Sequence, residues 1–457
     1  MRLLVRGARV VDPAQGLDGV QDLWLAEGRV AAVGRRPEGL VPDRVIEAAG
    51  WVACPGLVDL RAHLREPGQE HKGTIASETA AAAAGGITTL CTFADYDPVV
   101  DTPAVVDLIR HRAEAAGRCR VVVVGALTQG LDGERLSEMG ALRAAGCPGV
   151  GNARRPLANP LVLRRAMEYA ATHGLTVFLC PEDPHLRNRG CAHEGQVATR
   201  LGLPGVPEAA ETAAVAQALA LVQQTGVRAH LGPLSTARAV RMVARARYDG
   251  LPVTADVTAH HLHLTEMDLG EFDARCHVEP PLRTQRDRDG LRYGLVEGTL
   301  GAVCSDHQPH EPDAKLAPFP ATAPGLSGVE TLLSLTLRLV EEEVLSLAEA
   351  VARLTQGPAE ILGLAAQGIG SLRPGAPADL CLFDPERRWT VRPEGLRSRG
   401  RHTPFAGWEL PGVVMLTLLE GRVAYRHPEA GPALEGLPEG LAGQAPDGPR
   451  RTRREGG

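Results

Sequence analysis

Three short stretches of the sequence hold side chains fit for chemistry. In Val58-Asp59-Leu60-Arg61-Ala62-His63-Leu64-Arg65-Glu66-Pro67-Gly68, side chains two apart on an extended strand share a face, so Arg61 and His63 point the same way. Ser305-Asp306-His307-Gln308-Pro309-His310 offers a carboxylate and two imidazoles within one turn of chain. In Thr258-Ala259-His260-His261-Leu262-His263, an extended backbone would set His261 and His263 on one side. Imidazole beside carboxylate serves acid–base chemistry or a divalent metal, and Cys180 adds a further donor of the kind zinc accepts. Arg61 belongs to different chemistry, because a guanidinium stays protonated and only donates hydrogen bonds.

These groups need a frame that brings distant segments to one point. Eight short apolar runs alternate with Ala- and Leu-rich helical patterns: Leu57–His63, Ile87–Phe93, Arg120–Leu127, Gly149–Asn152, Thr176–Cys180, Arg228–Gly232, Pro252–Thr258 and Thr299–Asp306. That pattern predicts an α/β fold, a TIM (β/α)8 barrel, in which reactive groups collect at the C-terminal ends of the strands. Before residue 55 and after about 369, short β-type runs with Gly-rich turns return. The expected division is therefore 1–54 and 369–428 as the two parts of a small β-sandwich, 55–368 as the barrel, and 429–457 as a disordered tail ending in an Arg-rich run.

Composition narrows the function classes. A chain of 457 residues with net charge −6 has no global basic footprint for nucleic acid, and 3% aromatic residues leaves little to stack on bases. No apolar run approaches the ~20 residues of a membrane span, and the first residues lack the apolar core of a signal peptide. The nine cysteines are scattered without a C-x-x-C pair, which predicts reduced, buried thiols and a cytoplasmic location. Lysine occurs only at Lys72 and Lys315 among 49 basic residues.

The stretch Arg61-Ala62-His63-Leu64-Arg65-Glu66-Pro67-Gly68 resembles the strand-one motif of the dihydroorotase branch of the amidohydrolase family, where the pattern is His-x-His followed by Leu-Arg-Glu-Pro-Gly. The resemblance runs through Ala84-Gly85-Gly86-Ile87-Thr88-Thr89, His193-Glu194-Gly195, Glu279-Pro280-Pro281-Leu282-Arg283, Ser305-Asp306-His307 and Thr403-Pro404-Phe405-Ala406-Gly407-Trp408, up to about residue 425. It implies the barrel-plus-sandwich fold and a zinc-dependent interconversion of N-carbamoyl-L-aspartate and dihydroorotate. Metal-bound water with a pKa lowered to roughly 7 supplies the hydroxide in such sites.

The ligand positions depart from that pattern. Arg61 stands where the first histidine is expected, and it cannot coordinate a cation. Asn152 and Ala153 stand where strand four supplies a bridging aspartate or lysine carbamate, and Pro233 where strand six supplies a histidine. Cys180 replaces a histidine at strand five. Of the metal ligands, His63 and Asp306 remain, with Cys180 as a third donor at most. Arg65 and His310 match the residues that grip the substrate carboxylate, whereas Glu279 replaces an asparagine and would repel an anion. The remaining groups have plainer roles: His260, His261 and His263 as framework, His230 as an interior histidine, Cys180 as a buried thiol.

The leading expectation is a dihydroorotase-like pseudoenzyme with no bound cofactor, for which the resemblance implies a role as structural subunit or partner of aspartate carbamoyltransferase in a homo- or hetero-oligomer. The alternative is an active dihydroorotase with a remodelled metal site, using zinc, with Asp306 as acid/base and Arg65 and His310 on the substrate. A hydantoinase-like activity fits less well, because neither lysine lies at a strand-four end to form a carbamate. A vacated metal site would also leave the Asp306 carboxylate without its cation, and Arg61 is the expected replacement charge.

Overall fold

The computed structural model describes residues 1–434. The barrel strands are Leu57–Asp59, Ile87–Thr92, Arg120–Val123 continued by Gly125–Ala126, Gly149–Gly151, Thr176–Leu179, Ala229–Leu231, Val253–Thr258 and Ala302–Cys304. Each pairs in parallel with the next. The ring closes beyond the ends of strands one and eight, where Ala62 and His307 form a parallel bridge and the His63 N–H donates to the His307 carbonyl at 2.8 Å. All eight expected strands are present. They are shorter than the sequence runs because several expected terminal residues, such as Asp306 at φ 48°, leave the extended conformation. Strand two, Ile-Thr-Thr-Leu-Cys-Thr, is buried at every residue, as a parallel strand covered on both faces must be.

The two ends of the chain meet in one hydrogen-bonded eight-stranded sheet. Its seam is Val52–Pro55, which runs antiparallel to Leu380–Phe383 on one side and parallel to Arg9 and Val10 on the other. The sheet encloses its own apolar cluster, with Leu3, Leu25, Ile46, Leu382, Met415 and Val423 among its members. Ala430 and Leu434 are buried in the same cluster, so sandwich packing continues past the expected boundary at 428. The rest of the expected tail lies outside the described residues. Arg120 on barrel strand three fastens the two layers, reaching Asp379 at 2.7 Å and Glu420 at 2.9 Å. No helix among the described residues is long and apolar enough to cross a membrane.

Glu78, on the helix Ile75–Ala84, is a second fastening. Its side chain and that of His307 are both fully buried, 2.8 Å apart. Ser398 and the Arg399 N–H also donate to this carboxylate, binding the loop before the last sheet strands to the barrel top. Burial opposes the charge on Glu78, but hydrogen bonds from His307, Ser398 and Ser77 hold its carboxyl below the ordinary range.

Several histidines are buried as neutral rings. Burial lowers His263 to about 4, despite its hydrogen bond to the Leu335 carbonyl at 2.8 Å. An unfolded imidazole takes a proton near 6.5, whereas this one refuses it until about 4, so its contribution to stability falls as pH drops through that window. At pH 5 the difference amounts to about 2 kcal/mol. We therefore expect H263Q to lose less stability than the parent between pH 7 and pH 5, measured by urea denaturation; equal losses would show that His263 is not held neutral.

Candidate functional site

The C-terminal strand ends converge on two arginines and two aspartates. Asp306 follows strand eight in a left-handed conformation, φ 48°, with its side chain 3% exposed. Both of its oxygens accept from one terminal nitrogen of Arg154, at 2.6 and 2.5 Å. Arg154 comes from the strand-four loop. That loop turns through Ala153 at φ 49°, and it is pinned by Asn152, which accepts from the Thr128 hydroxyl at 2.9 Å and donates to the Arg155 carbonyl at 3.0 Å. The guanidinium facing Asp306 is thus that of Arg154, not Arg61 as the sequence led us to expect.

Arg61 lies instead against strand two and strand six. Its guanidinium carbon sits 4.0 Å from the centre of the Phe93 ring, and a terminal nitrogen donates to the Gly232 carbonyl at 3.2 Å. Its Nε is buried without a partner. Gly232 has no room for a side chain: a Cβ there would lie 1.6 Å from an oxygen of Asp256. Asp256, fully buried on strand seven, faces His230 Nε2 at 3.3 Å, while His230 Nδ1 meets the Thr254 hydroxyl at 2.9 Å. Burial works against the Asp256 charge, but His230 and Arg61 hold its carboxyl below the ordinary range. Burial pushes Asp306 up, and Arg154 and Arg61 pull it back. Two guanidiniums against two carboxylates leave the barrel centre balanced in charge.

This donor set does not fit zinc. Asp306 spends both oxygens on Arg154. His63 has neither ring nitrogen to spare: Nε2 donates to the Asp95 carbonyl at 3.0 Å and Nδ1 accepts the Arg65 N–H at 3.0 Å, with burial lowering the ring to about 4. Cys180 is half-buried, and burial raises its thiol against the opposing pull of Arg61 and Arg154. Asn152, Ala153 and Pro233 bring no metal donor to the centre. Among the described residues, no group of three or more His, Cys, Asp or Glu side chains is placed to hold a metal ion.

Space is as limiting as chemistry. The recess beside Arg154, lined also by Cys180, Glu182, Pro233, Glu279 and Arg283, leaves about 20 Å³ for the centres of water-sized molecules. That is room for one or two waters, against roughly 300 Å³ or more for a small-molecule site. Arg65 and His310 do come together, 3.2 Å apart and both buried. The Arg65 fork is already engaged, however, by the Pro309 carbonyl at 2.8 Å and by Gln69 and Gln308 at 3.2 and 3.4 Å. Glu279 is not a free repelling charge, because Arg187 pairs with it and with Glu182.

The His260–Leu262 segment is a 3-10 turn and not a strand, so His261 and His263 do not share a face. His261 Nδ1 meets the Thr258 hydroxyl at 2.7 Å, and both nitrogens of His260 are buried without partners. Lys72 approaches Glu311 at 3.7 Å, and Lys315 donates to the His277 and Ala323 carbonyls at 3.2 and 2.6 Å; neither reaches strand four. The sequence reading missed Arg154 and Asp256. Arg154 was open to the criterion that singled out Arg61, an arginine at a strand's C-terminal end. Asp256 gave no such signal, lying mid-strand among apolar neighbours.

A family model described as dihydro-orotase-like matches residues 50–238, and one described as amidohydrolase family matches residues 325–425. The chain is 51% identical to a dihydroorotase-like protein of Pseudomonas putida over 425 residues, covering 93% of this chain and 99% of that one. It is 44% identical to a dihydroorotase of Anaeromyxobacter sp. over 430 residues, covering 94% and 99%. Its fold matches an L-hydantoinase (dihydropyrimidinase) from Arthrobacter aurescens with a TM-score of 0.83 at 23% identity, covering 93% of this chain and 96% of that one.

Proposed function

The chain belongs to the dihydroorotase-like family of amidohydrolases, and from that membership we propose that it is a non-catalytic member that serves as a structural partner of aspartate carbamoyltransferase in pyrimidine biosynthesis. The observation that carries this reading is the Arg154–Asp306 pair, in which a guanidinium takes both oxygens of the carboxylate expected to bind metal and shuttle protons. The small recess and the engaged His63 point the same way. A scaffold role also accounts for what remains intact: the barrel closure, the Glu78–His307 fastening and the two-ended sheet all serve folding and not chemistry.

A second reading, an active dihydroorotase with a remodelled site, draws its support from the contact between Arg65 and His310, the pair expected on the substrate carboxylate. Metal analysis of the purified protein together with an assay of N-carbamoyl-L-aspartate ring closure separates the two. We expect far less than one zinc per chain and no turnover; stoichiometric zinc with turnover would sink the non-catalytic reading. Sedimentation of the chain with aspartate carbamoyltransferase from the same genome is expected to give a joint complex, and two independently sedimenting species would remove the scaffold role.

A further inference from the structure

On the outside of the barrel, the helices Glu208–Thr225 and Ala237–Tyr248 pack side by side and leave an open groove of about 680 Å³ between them. Its floor is apolar, formed by the partly buried Leu219, Met242 and Leu251, with Ala216 exposed at the edge. One wall is a row of arginines, Arg238, Arg241 and Arg245, whose spacing of three and four residues aligns them along a single helix face. The opposite wall carries no charge: from Thr212 to Val227 the sequence contains neither acid nor base, and the exposed positions of the helix in that range are alanine and glutamine. Among the described residues Arg245 is answered by Asp249 at 2.9 Å, whereas Arg238 and Arg241 have no acidic partner.

Outside the lining of the groove, the arginine helix and its other neighbour carry exposed aromatic residues. Tyr248 is 83% exposed and, on the neighbouring helix Gln285–Val296, Tyr293 is 64% exposed. In a chain with five tyrosines, two stand in solvent on adjacent helices. Arg247 ties these helix ends together through the Gly298 and Thr299 carbonyls. Arginine and methionine around an apolar floor, with no lysine and a single acid, Asp249, is nearer the composition of a protein interface core than that of a solvated helix face.

We infer that this groove is the docking surface for an acidic, apolar-ridged helix of a partner protein. The inference deepens the scaffold reading, and rests on it, by assigning the contact with aspartate carbamoyltransferase to this face. A second copy of this chain is a poor occupant, because the only carboxylate in the groove, Asp249, is already on Arg245, so the face has no acid to offer itself. Nucleic acid would answer the arginines but leave the apolar floor unfilled. An acidic helix answers both, with carboxylates three and four residues apart opposite the arginine row and apolar side chains on Leu219 and Met242.

The test is a full-length R238E/R241E variant, with a Q217E variant on the uncharged helix as control. Both changes are on exposed positions, so near-native circular dichroism and thermal midpoints are expected. Binding to aspartate carbamoyltransferase is measured by sedimentation or calorimetry at low and high salt. The expected result is roughly tenfold or greater weakening for R238E/R241E, with loss of the salt dependence that the parent shows. If the parent binds and the double variant binds equally well, the groove assignment falls while the scaffold reading stands. If the parent does not bind, both fall. If the double variant instead abolishes self-association, or retention on nucleic acid, with partner binding unchanged, the groove belongs to that other occupant and the inference is wrong.

Discussion

Replacing Arg154 with alanine is expected to destabilise the protein by about 3–5 kcal/mol, the usual cost of stranding one member of a buried ion pair. Asp306 would remain with its side chain 3% exposed and neither oxygen paired, and Arg61, engaged by Phe93 and the Gly232 carbonyl, is not free to take over. The cost is read from the midpoint of urea or guanidinium denaturation. The double variant R154A/D306A is expected to be more stable than R154A alone, because removing both partners strands no charge. A single variant within 1 kcal/mol of the parent would show that Asp306 is accommodated by other means, and the view of Arg154 as the replacement cation would fail.

A loss of similar size, about 3–5 kcal/mol, is expected for Glu78→Ala, whose carboxylate is held by His307, the residue after Asp306. Glu78 and His307 are both fully exclosed from solvent, and the same carboxylate receives the Ser398 hydroxyl at 2.6 Å and the Arg399 N–H at 3.2 Å. Truncation leaves the buried His307 ring and Ser398 hydroxyl without this acceptor, and the part-buried Arg399 N–H with them. Since these donors come from the barrel and from the loop entering the last sheet strands, the loss should also raise amide exchange around residues 397–400. Unchanged exchange there would mean that the loop is held by Glu330, which also accepts the Arg397 and Ser398 N–H groups.

The frame of the molecule was legible because burial on both faces forces parallel strands into continuous apolar runs, visible even where strand four is only Gly149–Gly151. The substitutions at the ligand positions were equally legible, since Arg61 and Pro233 exclude coordination by residue type alone. What sequence withheld was direction. Whether Arg61 or Arg154 meets Asp306 depends on left-handed backbone at Ala153 and on an aromatic ring at Phe93 that captures the competing guanidinium. Alternation also misled at His261 and His263, because period-two reasoning presumes an extended chain and the segment is a 3-10 turn. Asp256 was hidden for a related reason: its importance comes from a neighbouring strand, where Gly232 has no Cβ to separate it from Arg61.

The seam in the eight-stranded sheet bears on how the chain comes to be made. Val52–Pro55 pairs with Leu380–Phe383, so a strand that leaves the ribosome early has its neighbour more than three hundred residues downstream. At roughly 5–20 residues per second, that neighbour emerges about 15–65 s later. Throughout this interval the nascent chain carries the unpaired edge of Val52–Pro55 and the apolar face of Leu3, Val5 and Leu25. The barrel strands, all made before residue 305, can pair while the sheet cannot, so closure of the sheet waits on the arrival of Leu380–Phe383 and joins the two halves into one body only then.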